Sequence, residues 1–151
     1  MPKEALKEAN QQLAQGQSLS EPQMVEAMDC IMRGEGSDAQ LKSFLIGLHE
    51  RGETVEELVG AAKAMRKHMR PIRTHRENVI DTCGTGGGKS GIFNVSTAAA
   101  IVAASAGASV AKHGNRKSSS QSGSADVLVE LGVKIDCSVE AAEKCLNQLG
   151  L

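Results

Sequence analysis

Between residues 20 and 70, apolar side chains recur at helical spacing in three runs, each opened by a hydroxyl residue. Met24, Val25, Met28 and Ile31 form one stripe. Leu41, Phe44, Leu45 and Leu48 form a second, and Val55, Leu58, Val59, Ala62, Met65 and Met69 a third. Ser20, Ser37 and Thr54 precede these runs, with Gln23, Gln40 and Glu57 three positions on. That is the spacing of a capping box, in which the hydroxyl accepts an orphan N–H and the later side chain reaches back. Gly34, Gly36 and Gly52 punctuate the ends, and Pro71 stops the last run. A weaker helical pattern covers residues 3–14. The expectation is a helical domain over residues 1–72, with the stripes as bundle core and a dimer interface as their second use.

Beyond residue 76 the period changes. Short apolar runs at 78–81, 108–111 and 133–135 read as strands. Helical stretches at 95–106, at 125–131 with Ser124 as cap, and from Ser138 towards Leu149 separate and follow them. Alternating strands and helices predict a parallel α/β sheet. This second domain covers residues 77–151, and a sheet of about three strands with an uncovered edge is a poor stand-alone core.

Composition narrows the function classes. The 151 residues include two Phe, no Trp and no Tyr, so the core must be aliphatic and stacking platforms for single-stranded nucleic acid are lacking. With 17 basic and 18 acidic residues the net charge is −1, which gives no electrostatic footprint for DNA or a membrane surface. Cys30, Cys83, Cys137 and Cys145 have no CxxC spacing, and His49, His68, His75 and His113 are scattered. Reduced thiols and no zinc site are expected. The charged opening and the lack of an apolar run of about 18 residues point to a soluble, cytoplasmic protein.

The densest chemistry lies in residues 81–97, DTCGTGGGKSGIFNVST. Gly88, Lys89 and Ser90 match the end of a nucleotide P-loop, but its first glycine falls on Cys83. A dinucleotide fingerprint fails too, because Lys89 stands where its last glycine belongs. What remains is a general anion grip. Gly84, Gly86, Gly87 and Gly88 let backbone N–H groups turn towards a ligand. Asn94, Ser96 and Thr97 open the next helix, where orphan N–H groups and the dipole favour anions. The sequence KHGNR, residues 112–116, follows the next strand. Loops after successive parallel strands leave the sheet on one edge, so the two loops should share a crevice and take a ligand with more than one phosphate.

GTGG, FNVSTAAA, AKHGNR and SGSADVLVELGV, in that order, resemble anthranilate phosphoribosyltransferase of tryptophan biosynthesis. The capped helices resemble that family's N-terminal domain. The resemblance implies a helical bundle followed by a truncated parallel α/β domain of the nucleoside phosphorylase type. It implies phosphoribosyl pyrophosphate and anthranilate as substrates, Mg²⁺ as cofactor, and a homodimer formed through the N-terminal helices. It also assigns roles. Gly84 meets both substrates, and Gly87 and Gly88 continue the pyrophosphate cradle. Asn94, Val95, Ser96 and Thr97 match the helix-start segment, with Ser96 as a hydroxyl ligand of Mg²⁺. Lys112, His113, Gly114, Asn115, Arg116, Lys117, Ser118, Ser119 and Ser120 form the loop over the phosphoribosyl group. In that loop Lys112 pairs with phosphate and Asn115 meets anthranilate, and Ser124 adds a further contact. Gly88 stands where the family usually has aspartate, and Ile92 where it usually has threonine. The family's chains are longer, and an arginine that holds anthranilate and an acidic metal-binding pair have no counterpart here. The expectation is a fragment, a truncated product or a half that needs a partner. The alternative is a non-catalytic module that keeps the phosphate grip.

Overall fold

The structure, a computed structural model, describes residues 2–84, 94–116 and 123–151. It falls into two compact units, Met1–Arg70 and Pro71–Leu151.

The first unit contains α1 (Pro2–Ala14), α2 (Glu21–Met32), α3 (Asp38–Arg51) and α4 (Val55–His68). The capping signals act as their spacing predicts. Ser37 N–H donates to Gln40 Oε1 at 3.0 Å while Gln40 N–H returns to Ser37 Oγ, and Thr54 and Glu57 make the same exchange. At α2 the Ser20 N–H donates to Gln23 Oε1 at 2.9 Å. Leu6, Ala9 and Leu13 of α1 meet Met24, Ala27 and Cys30 of α2 and Phe44 and Leu48 of α3 in one core that also takes in Leu19. Helix α2 packs against both α1 and α4, and α1 also against α3.

Helix α4 turns a different face inward from the one its apolar stripe predicts. Glu57, Gly60 and Ala64 are buried, whereas Val55 is 77% exposed, Leu58 57% and Met65 54%. Leu45 of the α3 stripe also faces solvent. The reason lies in what the inward face must do. A Cβ on Gly60 would stand 2.7 Å from the Glu21 carbonyl oxygen and 2.9 Å from Met24 Cβ, so only glycine permits this approach of α4 to α2. The buried Glu57 carboxylate accepts the Leu19 N–H at 2.8 Å, the Thr54 N–H at 2.7 Å and the Arg51 guanidinium. Burial pushes its carboxyl up, but the bonds from Arg51, Leu19 and Thr54 outweigh burial and hold it at about 2. Near the other end of α4, Asp29 accepts Lys67 Nζ at 2.6 Å and lies 2.9 Å from His68 Nε2. The Lys67 bond, working against burial and helped by His68, lowers the Asp29 carboxyl.

The second unit contains α5 (Val95–Ser105), α6 (Ser124–Glu130) and α7 (Val139–Leu149). Ser138 caps α7 through a bond from the Ala141 N–H. The expected strands at 78–81 and 108–111 reduce to one parallel bridge between Ile80 and Val110. Ile80 N–H donates to Ser109 O and Ala111 N–H to Ile80 O, both at 2.9 Å. Asn78 sits at φ 52 and breaks the extended run just before the bridge. No ladder forms at 133–135 among the described residues. Val133 uses its N–H to close the end of α6 on Leu128 O, after a reversal at Gly132 with φ 83. The partner of Val110 on its other side is instead Gly150, whose carbonyl accepts the Val110 N–H at 2.8 Å.

Candidate functional site

The Ile80–Val110 bridge is parallel, so the chain leaves both segments at the same end. One carboxylate joins the two departing loops. Asp81 Oδ1 accepts the Cys83 N–H at 3.1 Å and the His113 N–H at 3.2 Å. Burial raises this carboxyl, but the bonds from His113, Cys83 and Thr82 and the Lys112 charge outweigh it, and the net shift is downward. Asp81 therefore stays ionised and fixes the directions of residues 81–83 and 112–113 together.

The start of α5 lies against these loops. Thr82 Oγ1 donates to Ser96 O at 2.7 Å. Lys112 Nζ donates to His113 O at 3.1 Å and reaches Ser96 Oγ at 3.5 Å. An ammonium is thus held beside the first turn of an eleven-residue helix, whose dipole and orphan N–H groups also attract negative charge. Thr97 is 2% exposed, and its Oγ1 has no hydrogen-bond partner among the described residues.

The start of α6 closes the other side. Asn115 N–H donates to Ser124 Oγ at 3.1 Å, and Ala125 N–H donates to Asn115 O at 3.1 Å. Asn94 Nδ2 donates to Gly123 O at 3.4 Å. A Cβ on Gly114 would lie 2.9 Å from Ser124 Oγ, so a larger residue there would turn this hydroxyl away from the Asn115 N–H. Ser124 is therefore not the cap of α6, contrary to its sequence reading. It is the first residue of the helix, Gly123 holds the cap position, and Asp126 Oδ2 accepts the Gly123 N–H at 2.8 Å. The Ser124 hydroxyl is free of capping duty and anchors the loop of residues 112–116.

Of the residues singled out by sequence, Ser96 and Lys112 meet directly, and Asn115 and Ser124 do so by hydrogen bond. Asn115 Nδ2 also lies 3.4 Å from His113 Nε2. Arg116 is not drawn into the cluster. It faces Asp136 at 3.7 Å in an exposed ion pair. Val95 is exposed, and a Cβ on Gly84 would meet open space. Gly87, Gly88, Lys117, Ser118, Ser119 and Ser120 lie outside the described residues. Sequence reasoning missed Asp81 and Thr82 as organisers. The available signal was an Asx turn, an aspartate two residues before a backbone N–H that its own side chain accepts, placed where a strand meets a glycine loop.

Two family models match the chain. The helical bundle domain of the glycosyl transferase family covers residues 7–69, and its a/b domain covers residues 76–151. The chain belongs to the glycosyl transferase family. A helical bundle followed by an a/b domain is the order that the fold presents. Among family members with names, the anthranilate phosphoribosyltransferase of Acetivibrio thermocellus is 49% identical over 146 residues, 97% of this chain and 42% of that protein. The Clostridium kluyveri enzyme of the same name is 50% identical over 146 residues, 97% of this chain and 44% of that protein. The crystal structure of anthranilate phosphoribosyltransferase from Thermus thermophilus superposes with a TM-score of 0.79 at 42% identity, over 94% of this chain and 43% of that one. The chain thus spans less than half the length of the relatives it matches, and it corresponds to their N-terminal half.

Proposed function

We propose that this chain is the phosphoribosyl pyrophosphate-binding half of an anthranilate phosphoribosyltransferase. The observation that carries the reading is the Lys112 ammonium at 3.5 Å from Ser96 Oγ on the first turn of α5, with Asp81 tying both loops together. A positive charge, a hydroxyl and a helix N-terminus converge where a diphosphate would lie. Identity near 50% to enzymes of that name supports the choice of substrates.

In the proposed reaction the bond from ribose C1 to the diphosphate oxygen breaks, and the electron pair leaves with pyrophosphate. The anthranilate nitrogen bonds to C1 and releases a proton. Positive charge develops on the ribose ring and negative charge on the leaving oxygen. Lys112 and the α5 dipole stabilise the leaving charge, and they are in place before it forms. Asp81 is a positioning residue, because its Oδ1 is already committed to backbone N–H groups. Asn115, whose backbone N–H is held by Ser124, is the residue this reading assigns to the acceptor.

The described residues do not make a resident Mg²⁺ site. Ser96 offers one neutral hydroxyl with an ammonium 3.5 Å away, and no group of three His, Cys, Asp or Glu is assembled among the described residues. Mg²⁺ is accordingly assigned to the substrate and would enter with the diphosphate. The exposed apolar side chains Leu45, Ile46, Val55, Leu58 and Met65 of α3 and α4 support a homodimer through these helices, tested by the molar mass in solution. The exposed thiols Cys83, Cys137 and Cys145 support a reducing, cytoplasmic setting, and no described helix is long and apolar enough to cross a membrane.

Calorimetric titration of the chain with phosphoribosyl pyrophosphate tests the reading. Binding should weaken at least ~10-fold in Lys112→Ala, since a charge-assisted contact contributes about 1.5–3 kcal/mol. No binding by folded protein overturns it. Binding with loss of anthranilate fluorescence, when anthranilate is added, would exclude the second reading, a phosphate-ligand module without turnover. The lack of an acidic cluster among the described residues favours that second reading for the chain alone.

A further inference from the structure

Two hydrogen bonds from the loops that follow the bridge end on Ser96, in the first turn of α5. Lys112 Nζ reaches Ser96 Oγ at 3.5 Å, and Thr82 Oγ1 donates to Ser96 O at 2.7 Å. They differ in what a bound phosphate does to them. The ammonium and the Ser96 hydroxyl are groups that a diphosphate takes for itself, so the Lys112 contact is given up when the ligand arrives. It is also long for a hydrogen bond. The Thr82 bond uses a helix carbonyl, which carries partial negative charge and offers a phosphate nothing. It therefore stays in place while the site is filled.

Ser96 brings more than its hydroxyl. The N–H groups of Thr97 and Ala98 both donate to Asn94 O at 3.1 Å. Among the described residues no acceptor takes the N–H of Val95 or Ser96, so these are the orphan donors that this helix start presents to an anion. Asp81 does not place them. Its Oδ1 ties residue 83 to residue 113, and neither belongs to α5. Thr82, next to Asp81 and half-buried, supplies that tie. Its branched Cβ restricts χ1 and keeps the hydroxyl on one bearing. We propose that Thr82 is a positioning residue of the phosphate site: by gripping the Ser96 carbonyl, its hydroxyl holds the Ser96 N–H and Oγ in register with the Lys112 ammonium. The inference rests on the diphosphate reading of this site.

Calorimetric titration with phosphoribosyl pyrophosphate tests it. Thr82→Val and, independently, Thr82→Ala delete the donor. Ser96 O keeps the acceptor role of a helix carbonyl, so neither change orphans it, and both variants should melt within about 3 °C of wild type. Binding should nevertheless weaken about fivefold, the scale of one neutral hydrogen bond. Thr82→Ser, which keeps the hydroxyl, should bind within about twofold of wild type. In a Ser96→Ala chain the loss caused by Thr82→Val should shrink, because the hydroxyl that Thr82 places is gone. A merely structural role predicts the same factor with or without that hydroxyl. Wild-type binding that Thr82→Val and Thr82→Ala leave unchanged overturns the inference alone. So does an undiminished factor in the Ser96→Ala chain, or a weakening that Thr82→Ser shares. A folded wild type that does not bind overturns the diphosphate reading and the inference with it.

Discussion

Replacing Glu57 with glutamine should unsettle the helical unit more than any exposed substitution. The carboxylate is fully buried and receives Leu19 N–H, Thr54 N–H and the Arg51 guanidinium. Its carboxyl falls from the usual 4.5 to about 2 in the folded protein, a difference of about 3 kcal/mol. Glutamine keeps one acceptor oxygen, loses the charge facing Arg51, and sets an NH₂ against a backbone N–H. For a unit of this size, about 3 kcal/mol corresponds to a Tm lower by about 10–20 °C. Because the folded value is depressed, the contribution is complete above pH 4.5 and is lost as pH falls from 4.5 towards about 2. Thermal melts by circular dichroism at neutral pH, repeated down to pH 3, measure both effects. The wild type should lose stability across the acid window, and Glu57→Gln should lack that part of the loss. A variant melting within about 3 °C of wild type at neutral pH would refute the view that this carboxylate organises α2, α3 and α4.

Three other outcomes follow from single contacts. Gly60→Ala sets a methyl 2.7 Å from the Glu21 carbonyl and should cost about 1–3 kcal/mol in denaturant melts, without touching the phosphate site. Gly114→Ala places a Cβ 2.9 Å from Ser124 Oγ and turns that hydroxyl away from the Asn115 N–H; phosphoribosyl pyrophosphate titration should record weaker binding. Asp81→Asn removes the charge that holds the Cys83 and His113 N–H groups; binding at neutral pH should weaken about fivefold. Since the Asp81 carboxyl is depressed, wild-type binding should weaken in the same way only as pH falls below the ordinary value of 3.8.

The sequence was most readable where the determinants are local. Ser37 with Gln40 and Thr54 with Glu57 lie three residues apart, and the helices begin where those pairs fall. The inward face of α4 was not readable. Which side of that helix is buried depends on Leu19, Arg51, Glu21 and Met24, and none of these enters the periodicity of residues 55–69. The strands were legible as extended runs but not in extent. Pairing needs a neighbour, and only Ile80 and Val110 find each other among the described residues. In the site, the residue types that attract phosphate were visible as glycines, hydroxyls and Lys112. The carboxylate that joins the loops was not, because Asp81 and His113 are brought together only by the bridge.

Arg76 has a consequence for how the second unit tolerates change. It stands near the start of that unit and grips its far end, with Asn147 also accepting from Thr74 Oγ1 and the His75 N–H and Glu143 accepting the Arg73 N–H. The backbone between these points is closed at its base, so its closure depends only weakly on how much chain lies inside. Doubling the length of a flexible loop costs only about 0.6 kcal/mol. Changes of chain length between these two points should therefore leave the base and the Ile80–Val110 pairing in place, with the entry and exit of the unit still side by side.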